Sequence, residues 1–577
     1  MQTKQGIGAS DGIAIAKAYK LETPVFEISQ AKIKKSQVKQ EIQKVQSAFA
    51  KAAEQLKEVK EIATKKLGEE QGNIFQAHIE MINDPTLMAQ ITEAIENNLK
   101  NAVLATDEAF EKTHELFLSL SDQYFRERAA DIKDIKTRVL AIMTDTELPD
   151  LLTINSDVII IAEDLSPSQT SLLDKKYIKG FATNIGGRTS HVAIISRTLE
   201  IPSVVGLKTI TKDVAQNQEI VIDGHGGVVG WDLSESDKKE YLQKQAKFLE
   251  EKEVLLQFVK PVAITKDGHE VSVAVNIGTP DDMAGAKQYG AKGVGLFRTE
   301  FLYMHASEWP NEEVQFEAYK SVLEQANNEL VVMRTLDIGG DKTLNYYTFP
   351  KEMNPFLGYR AIRLTLDQPE IFKTQLKALL RASAFGKLGI MFPMVATVDE
   401  LKKAKALLQV CREELTAQKV KFGKPLVGIM VEIPSAAVLA DVLGKHCDFF
   451  SIGTNDLIQY SFAADRMSKS VSYLYQPLNP SLLRLIKNTI DGANLNGIWT
   501  GMCGEMAGEP LAVPLLLGLG LKEFSMSAPS MLKAKYIISK LNYPDCQKLA
   551  EQAIRLGTAE AVGALVENFL KKHKINF

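Results

Sequence analysis

Hydrophobic positions recur with two different periods along the chain, and the switches between them divide it. Residues 6–20 alternate small and apolar groups around Ile13, Ile15 and Ala18, which predicts a short strand with a glycine-rich start. From about residue 31 the spacing lengthens. Val38, Ile42, Val45, Phe49, Ala52, Leu56 and Val59 recur at steps of three or four, with lysine and glutamate between them. That is one apolar stripe on a long helix. Further helical patterns cover about 73–82, 86–98, 106–120 and 128–143, and Pro85 after Asp84 suits a helix start. Residues 31–145 therefore read as an all-helical block. Its stripes need one another, or a partner, for burial.

Near residue 155 the texture changes. Val158, Ile159, Ile160 and Ile161 form a fully apolar run, as a buried strand does. Glycines and short β-branched runs then continue through GFATNIGG, IPSVVG and VIDGHGGVVG to about 230. This predicts a compact α/β domain. The strand at 6–20 joins it, because no other sheet is available to it, and the helical block becomes an insertion between strands. Residues 232–259 carry a charged helical pattern with a ragged apolar face of Leu242, Phe248, Leu249 and Leu255. It reads as a connecting helix, or as a surface helix of the preceding domain.

From 261 onward short apolar strands alternate with helical stretches. The strands fall at Val271–Val275, Gly293–Leu296, Val331–Leu336, Gly389–Pro393, Leu426–Val431, Phe449–Ile452, Gly497–Thr500 and Glu523–Met526. Eight strands in this stretch predict a (β/α)8 barrel, with a doubly wound sheet as the competing arrangement. Many of the strands end in polar residues: Arg298, Arg334, Glu432, Asn455 with Asp456, and Cys503. In a barrel these ends gather around one mouth.

Composition acts mainly by exclusion. The 577 residues suggest three or four domains, and 45% apolar with 24% charged residues is ordinary for a globular chain. Lysine plus arginine is 68 and aspartate plus glutamate is 72, a formal charge of −4, which argues against a nucleic-acid or membrane-surface protein. Four cysteines without a CxxC pair make no disulfide scaffold. The start lacks a signal-peptide core and no run is long enough to span a membrane, so the expectation is a cytoplasmic protein without membrane insertion.

Four constellations carry candidate chemistry. Gly186-Gly187-Arg188-Thr189-Ser190-His191 precedes the helical VAIISRTL, so His191 lies near a helix N-terminus where amides and dipole favour an anion. An imidazole there suits a phosphoryl group; a structural histidine in a tight turn fits equally well. Arg298, Arg334, Lys342 and Arg466 form a cationic set for a doubly anionic small substrate, although each alone also suits an ion pair. Glu432 and Asp456 provide the hard oxygens that Mg²⁺ requires, or else neutralise the arginines, and Asn455 offers an amide to an oxyanion. Cys503, in TGMCGEMAG, is either a proton donor on a barrel rim or a small buried hydrophobe.

Together these stretches resemble the phosphoenolpyruvate-protein phosphotransferase family, enzyme I of the bacterial sugar phosphotransferase system, over nearly the whole chain. GGRTSHVAII resembles its phosphohistidine signature. LFRTEFLYM, RTLDIGGDK, MNPFLGYRAIR, IMFPMVAT, GIMVEIPSA, FFSIGTNDLIQY and TGMCGEMAG resemble its substrate-binding barrel. FQAHIEMINDP and YFRERAADIKD resemble its helical part, which docks the phosphocarrier protein HPr.

The resemblance implies a multidomain α/β protein. Residues 1–30 with 146–231 would be a swivelling phosphohistidine domain, 31–145 an inserted helical HPr-binding domain and 232–260 a linker helix. Residues 261–577 would be a TIM-like barrel that binds phosphoenolpyruvate and forms a homodimer. It also implies His191 as the phosphorylated residue and Cys503 as the acid. Arg298, Arg334, Lys342, Asn455 and Arg466 would hold phosphoenolpyruvate, and Glu432 and Asp456 would hold Mg²⁺.

The stretch His305-Ala306-Ser307-Glu308-Trp309-Pro310 departs from the Gly/Asp-Arg-Asp of many relatives. Two alternatives stand beside this reading. One is an inactive HPr-binding scaffold. The other is an ATP-dependent dikinase relative, for which no glycine-rich nucleotide domain is visible.

Overall fold

The computed structural model of the chain describes all residues apart from 22, 23, 25, 68, 120–122, 150, 152, 153, 166, 171, 172, 188, 189, 305, 341, 343, 467, 576 and 577. Also outside the description are the side chains of 63, 66, 67, 69–74, 118, 119, 123–130, 167, 168, 191, 194, 198 and 469. The chain divides into two units, Met1–Glu251 and Lys252–Phe577.

The first unit contains a mixed eight-stranded sheet and a group of helices. Its strands are β1 (Gln2–Gln5), β2 (Ile7–Ser10), β3 (Ile13–Leu21), β4 (Val158–Ala162), β5 (Ile178–Thr183), β6 (Ser203–Val205), β7 (Glu219–Asp223) and β8 (Val228–Trp231). They lie in the order β1-β8-β7-β3-β4-β5-β6-β2. The single strand expected at 6–20 is therefore two strands, β2 and β3, with β1 ahead of them. Gly12, at φ +128, turns the chain between β2 and β3, and β1 and β2 reach opposite ends of the order.

β4 is buried on both faces: Ile159 and Ile161 pack into one apolar cluster, Val158 and Ile160 into another. This explains its unbroken apolar run. β3 and β4 are parallel neighbours, and the helices α1 (Val38–Leu67), α2 (Glu69–Ile82), α3 (Pro85–Asn98), α4 (Ala102–Ser119) and α5 (Gln123–Thr144) enter the chain between them. These helices bury their own cluster, in which Val45, Phe49 and Leu56 of α1 meet Phe75, Ile91, Phe110, Ile135 and Val139. The stripe read from the sequence is the buried face of α1. The charged pattern at 232–259 forms α7 (Glu235–Leu256), of which only Tyr241 is buried.

In the second unit eight parallel strands close a barrel. They are β10 (Glu270–Ile277), β11 (Val294–Arg298), β12 (Val331–Arg334), β13 (Leu388–Phe392), β14 (Leu426–Val431), β15 (Phe449–Ile452), β16 (Trp499–Met502) and β17 (Glu523–Met526). Each pairs with the next, and β10 pairs with both β17 and β11. A short antiparallel β9 (Ala263–Ile264) edges β10. This is the (β/α)8 barrel, and the doubly wound alternative is excluded because the sheet has no open edge. Alternation sorts the strand residues: Phe297, Ile390, Ile429 and Phe450 face the outer core, whereas Leu296, Val332, Met391, Met430 and Phe449 fill the interior.

Candidate functional site

The ends of the barrel strands place the expected residues on one rim. Arg298 and Arg334 end β11 and β12 and are register partners, so the two guanidiniums start side by side. Val431, Ile452 and Met502 are successive partners across β14, β15 and β16, which sets Glu432, Gly453 and Cys503 level with one another. Asn455 and Asp456 lie in the first turn of the helix Thr454–Phe462 that follows β15, and Arg466 lies just beyond that helix. Lys342 sits in the loop after β12.

The side chains meet. Lys342 Nζ is 2.8 Å from Glu300 Oε1 and 3.1 Å from Asp337 Oδ2, and Arg334 pairs with the same two acids, its Nη1 lying 3.0 Å from Asp337 Oδ2. Arg360 Nη2 donates to Asp337 Oδ1 at 2.8 Å, and its Nη1 lies 3.8 Å from Asp456 Oδ1. Arg466 Nη1 is 4.0 Å from the same oxygen. Arg298, among the described residues, makes no ion pair. The Met394 amide donates to Glu432 Oε1 at 2.7 Å, and Tyr475 donates to Asn455 Oδ1 at 3.1 Å.

Glu300, Asp337 and Arg360 were not singled out from the sequence. Asp337 stands three residues after Arg334 in the same motif, and that spacing was the available signal. Arg360 was not accessible this way, because the long loop after β12 brings it back to the rim. Non-glycine residues with positive φ around this rim include Ala361 at 52°, directly after Arg360, and Met394 at 57°, whose amide faces Glu432. Strain of this kind persists where packing over-determines the backbone.

Burial opposes the ionisation of Glu300, Asp337 and Glu432, with different outcomes. Glu300 and Asp337 are nonetheless held below the usual carboxylate range, because Arg334 and Lys342 outweigh burial at both, helped by Arg360 at Asp337. Glu432 is pushed up to about 8 by burial and by the Asp456 and Asp337 carboxylates. Burial lifts the Cys503 thiol to about 11, and it feels Arg334, Glu432 and Arg298. Cys503 is nearly inaccessible and belongs to the apolar interior cluster.

A divalent cation finds suitable chemistry at Glu432 and Asp456. Both carboxylates are buried and repel one another, and Asp456 Oδ1 is buried without a hydrogen bond. Among the described residues no group of three His, Cys, Asp or Glu side chains could hold a metal. Two carboxylates alone suit an ion that takes few protein oxygens and completes its shell with substrate and water.

In the first unit, His191 opens the helix α6 (His191–Leu199), with the Ser190 side chain accepting from the Ala193 amide as its N-cap. Gly186 takes φ +114 in the loop before it. Arg188, Thr189 and the imidazole of His191 lie outside the described residues. So does His305 of the unusual 305–310 stretch. Trp309 of that stretch packs against Tyr303, Tyr346 and Tyr347, with ring centroids 6.1, 5.4 and 5.2 Å away.

Three family descriptions match the chain: "PEP-utilising enzyme, N-terminal" over residues 5–128, "PEP-utilising enzyme, mobile domain" over 154–227 and "PEP-utilising enzyme, PEP-binding domain" over 252–543. A phosphoenolpyruvate-protein phosphotransferase of Mycoplasma pneumoniae is 57% identical over 580 residues, with 100% of both chains covered. That of Bacillus subtilis is 50% identical over 576 residues, covering 99% of this chain and 100% of the relative. A solution structure of an "Enzyme I (nEIt) protein" shares 36% identity at a TM-score of 0.40, covering 42% of this chain and 99% of that one.

Proposed function

The chain belongs to the phosphoenolpyruvate-protein phosphotransferase family, and we propose that it carries the phosphoryl group of phosphoenolpyruvate to its own His191 and then to a histidine of HPr. Phosphoenolpyruvate binds at the barrel mouth, where Arg298, Arg334, Lys342, Arg466 and Asn455 meet its carboxylate and phosphate oxygens. Glu432 and Asp456 would hold Mg²⁺, which when bound neutralises charge on the transferring group. A neutral His191 nitrogen attacks phosphorus. The P–N bond forms as the bridging P–O bond breaks, and the enolate of pyruvate leaves. The Cys503 thiol gives its proton to the enolate carbon, yielding pyruvate and a thiolate that solvent reprotonates.

Residues 1–30 with 146–231 carry the phosphohistidine, and the helical domain at 31–145 docks HPr. The linker at 232–260 lets one domain serve two sites. The barrel at 261–577 forms the homodimer, and the protein works in the cytoplasm. The observation that supports the reaction best is the convergence of cations, paired carboxylates and a cysteine from separate strands on one barrel rim. That set, kept whole, speaks against the inactive scaffold.

Radiolabelled phosphoenolpyruvate tests it. The expected result is Mg²⁺-dependent, acid-labile label on residue 191 that chases onto HPr. Label on another residue, or none, defeats the proposal.

A further inference from the structure

Asn276 ends a chain of hydrogen bonds that no substrate-facing residue explains. It lies near the C-terminal end of β10, directly after a register irregularity against β11. Its Nδ2 donates to the Cys503 carbonyl at 2.9 Å and to the Ser525 carbonyl at 3.4 Å. The Ser525 hydroxyl donates to its Oδ1 at 2.6 Å. The sheet order here is β16-β17-β10, so one side chain ties three strands and reaches past its neighbour. Ladder hydrogen bonds join only adjacent strands and cannot do this. The amide orientation is dictated: two carbonyl oxygens can only accept, so the nitrogen must face them and the oxygen is left to the hydroxyl.

The tie falls where the backbone needs one. Cys503 follows the last residue of β16 and precedes Gly504, whose added Cβ would lie 1.8 Å from Thr454 Oγ1. A glycine is thus required on one side of the cysteine because no Cβ fits there, and its amide also reaches the Ile452 carbonyl, at 3.4 Å. The Cys503 amide is held by the Ile452 carbonyl of β15 at 3.1 Å. Its own carbonyl is held by Asn276. Both polar backbone groups are therefore fixed from opposite directions, and the thiol itself reaches the Ile452 carbonyl at 3.9 Å.

We infer that Asn276, seated by Ser525, is a positioning residue that holds the Cys503 backbone, and through it the thiol, in place on the barrel rim that carries Arg298, Arg334 and Glu432. The inference rests on the proposed role of Cys503 as proton donor. The experiment uses the full chain with saturating Mg²⁺. In Asn276→Asp an oxygen replaces the nitrogen that faces two carbonyls. The expected result is a kcat lower by about 10- to 100-fold, as for a small misplacement of a reacting group, with KM for phosphoenolpyruvate within about threefold. Iodoacetamide modification of Cys503, mapped by mass spectrometry, should become faster and shift its pH midpoint. Ser525→Ala should move both readouts the same way by a smaller factor, and it carries the test if Asn276→Asp does not fold.

Unchanged kcat and unchanged alkylation in folded variants overturn the inference, as does a KM that rises in step with the fall in kcat. Cys503→Ala separates the two layers. Parent-like turnover there removes the acid and the positioning role with it, whereas slow Cys503→Ala beside a parent-like Asn276→Asp defeats the positioning role alone.

Discussion

Glu523 opens β17 with its side chain inside the barrel, 7% exposed, and its Oε1 has no hydrogen-bond partner. Burial lifts this carboxyl from its ordinary 4.5 to about 7. Between those values the folded protein keeps a proton that the unfolded chain has released. Stability therefore falls as pH rises through that window, and the loss is complete above about 7, on the order of 3 kcal/mol. Glu523→Gln cannot ionise, so its melting temperature should gain on the parent's as pH rises from 5 to 8. Parallel curves for the two proteins would refute this. Cys503 offers a second residue-scale test. Cys503→Ala should lower kcat by roughly 10²- to 10⁴-fold, the usual worth of a general acid, with less effect on substrate affinity, read by steady-state kinetics against direct binding.

The loop between β12 and β13 shows how an element places charge. Gly339, at φ +116, lies against Arg360; an added Cβ would sit 2.5 Å from that residue's Cβ and 2.9 Å from its Cα. Arg360 in turn holds Asp337, which holds Arg334 and Lys342. Gly339→Ala should therefore displace Arg360 and loosen the cationic set. The expected rise in KM for phosphoenolpyruvate is about tenfold, equivalent to losing one charge-assisted contact of ~1.4 kcal/mol. A KM equal to the parent's would show that the loop absorbs the methyl group. The same loop also receives Trp309 of the 305–310 stretch, which packs on its Tyr346 and Tyr347.

For the whole molecule, histidine and cation cluster belong to different units, Met1–Glu251 and Lys252–Phe577. His191→Ala in the full chain should abolish self-phosphorylation and HPr labelling. Mg²⁺-dependent binding of phosphoenolpyruvate, followed by calorimetry, should stay within about threefold, because no cation of the rim is touched. Loss of binding would place His191 inside the substrate pocket rather than as a visitor to it.

The eight barrel strands and the helical insertion were legible because strands buried on both faces read as short unbroken apolar runs, whereas helices packed on one face repeat apolar positions every three or four residues. Arg298, Arg334, Glu432 and Cys503 were legible for a related reason: each follows an apolar run, and parallel closure sends all strand ends to one face. Asn276 and Arg360 were not. Nothing in AVNIG marks an amide that will cross β17 to reach Cys503, and nothing in GYRAIR marks a guanidinium that will meet Asp337 and Asp456. Patterning along a chain reports what each residue needs from its surroundings. Which particular partner answers that need depends on distances across the closed sheet and on long loops, and these come into being only when the strands have found their register.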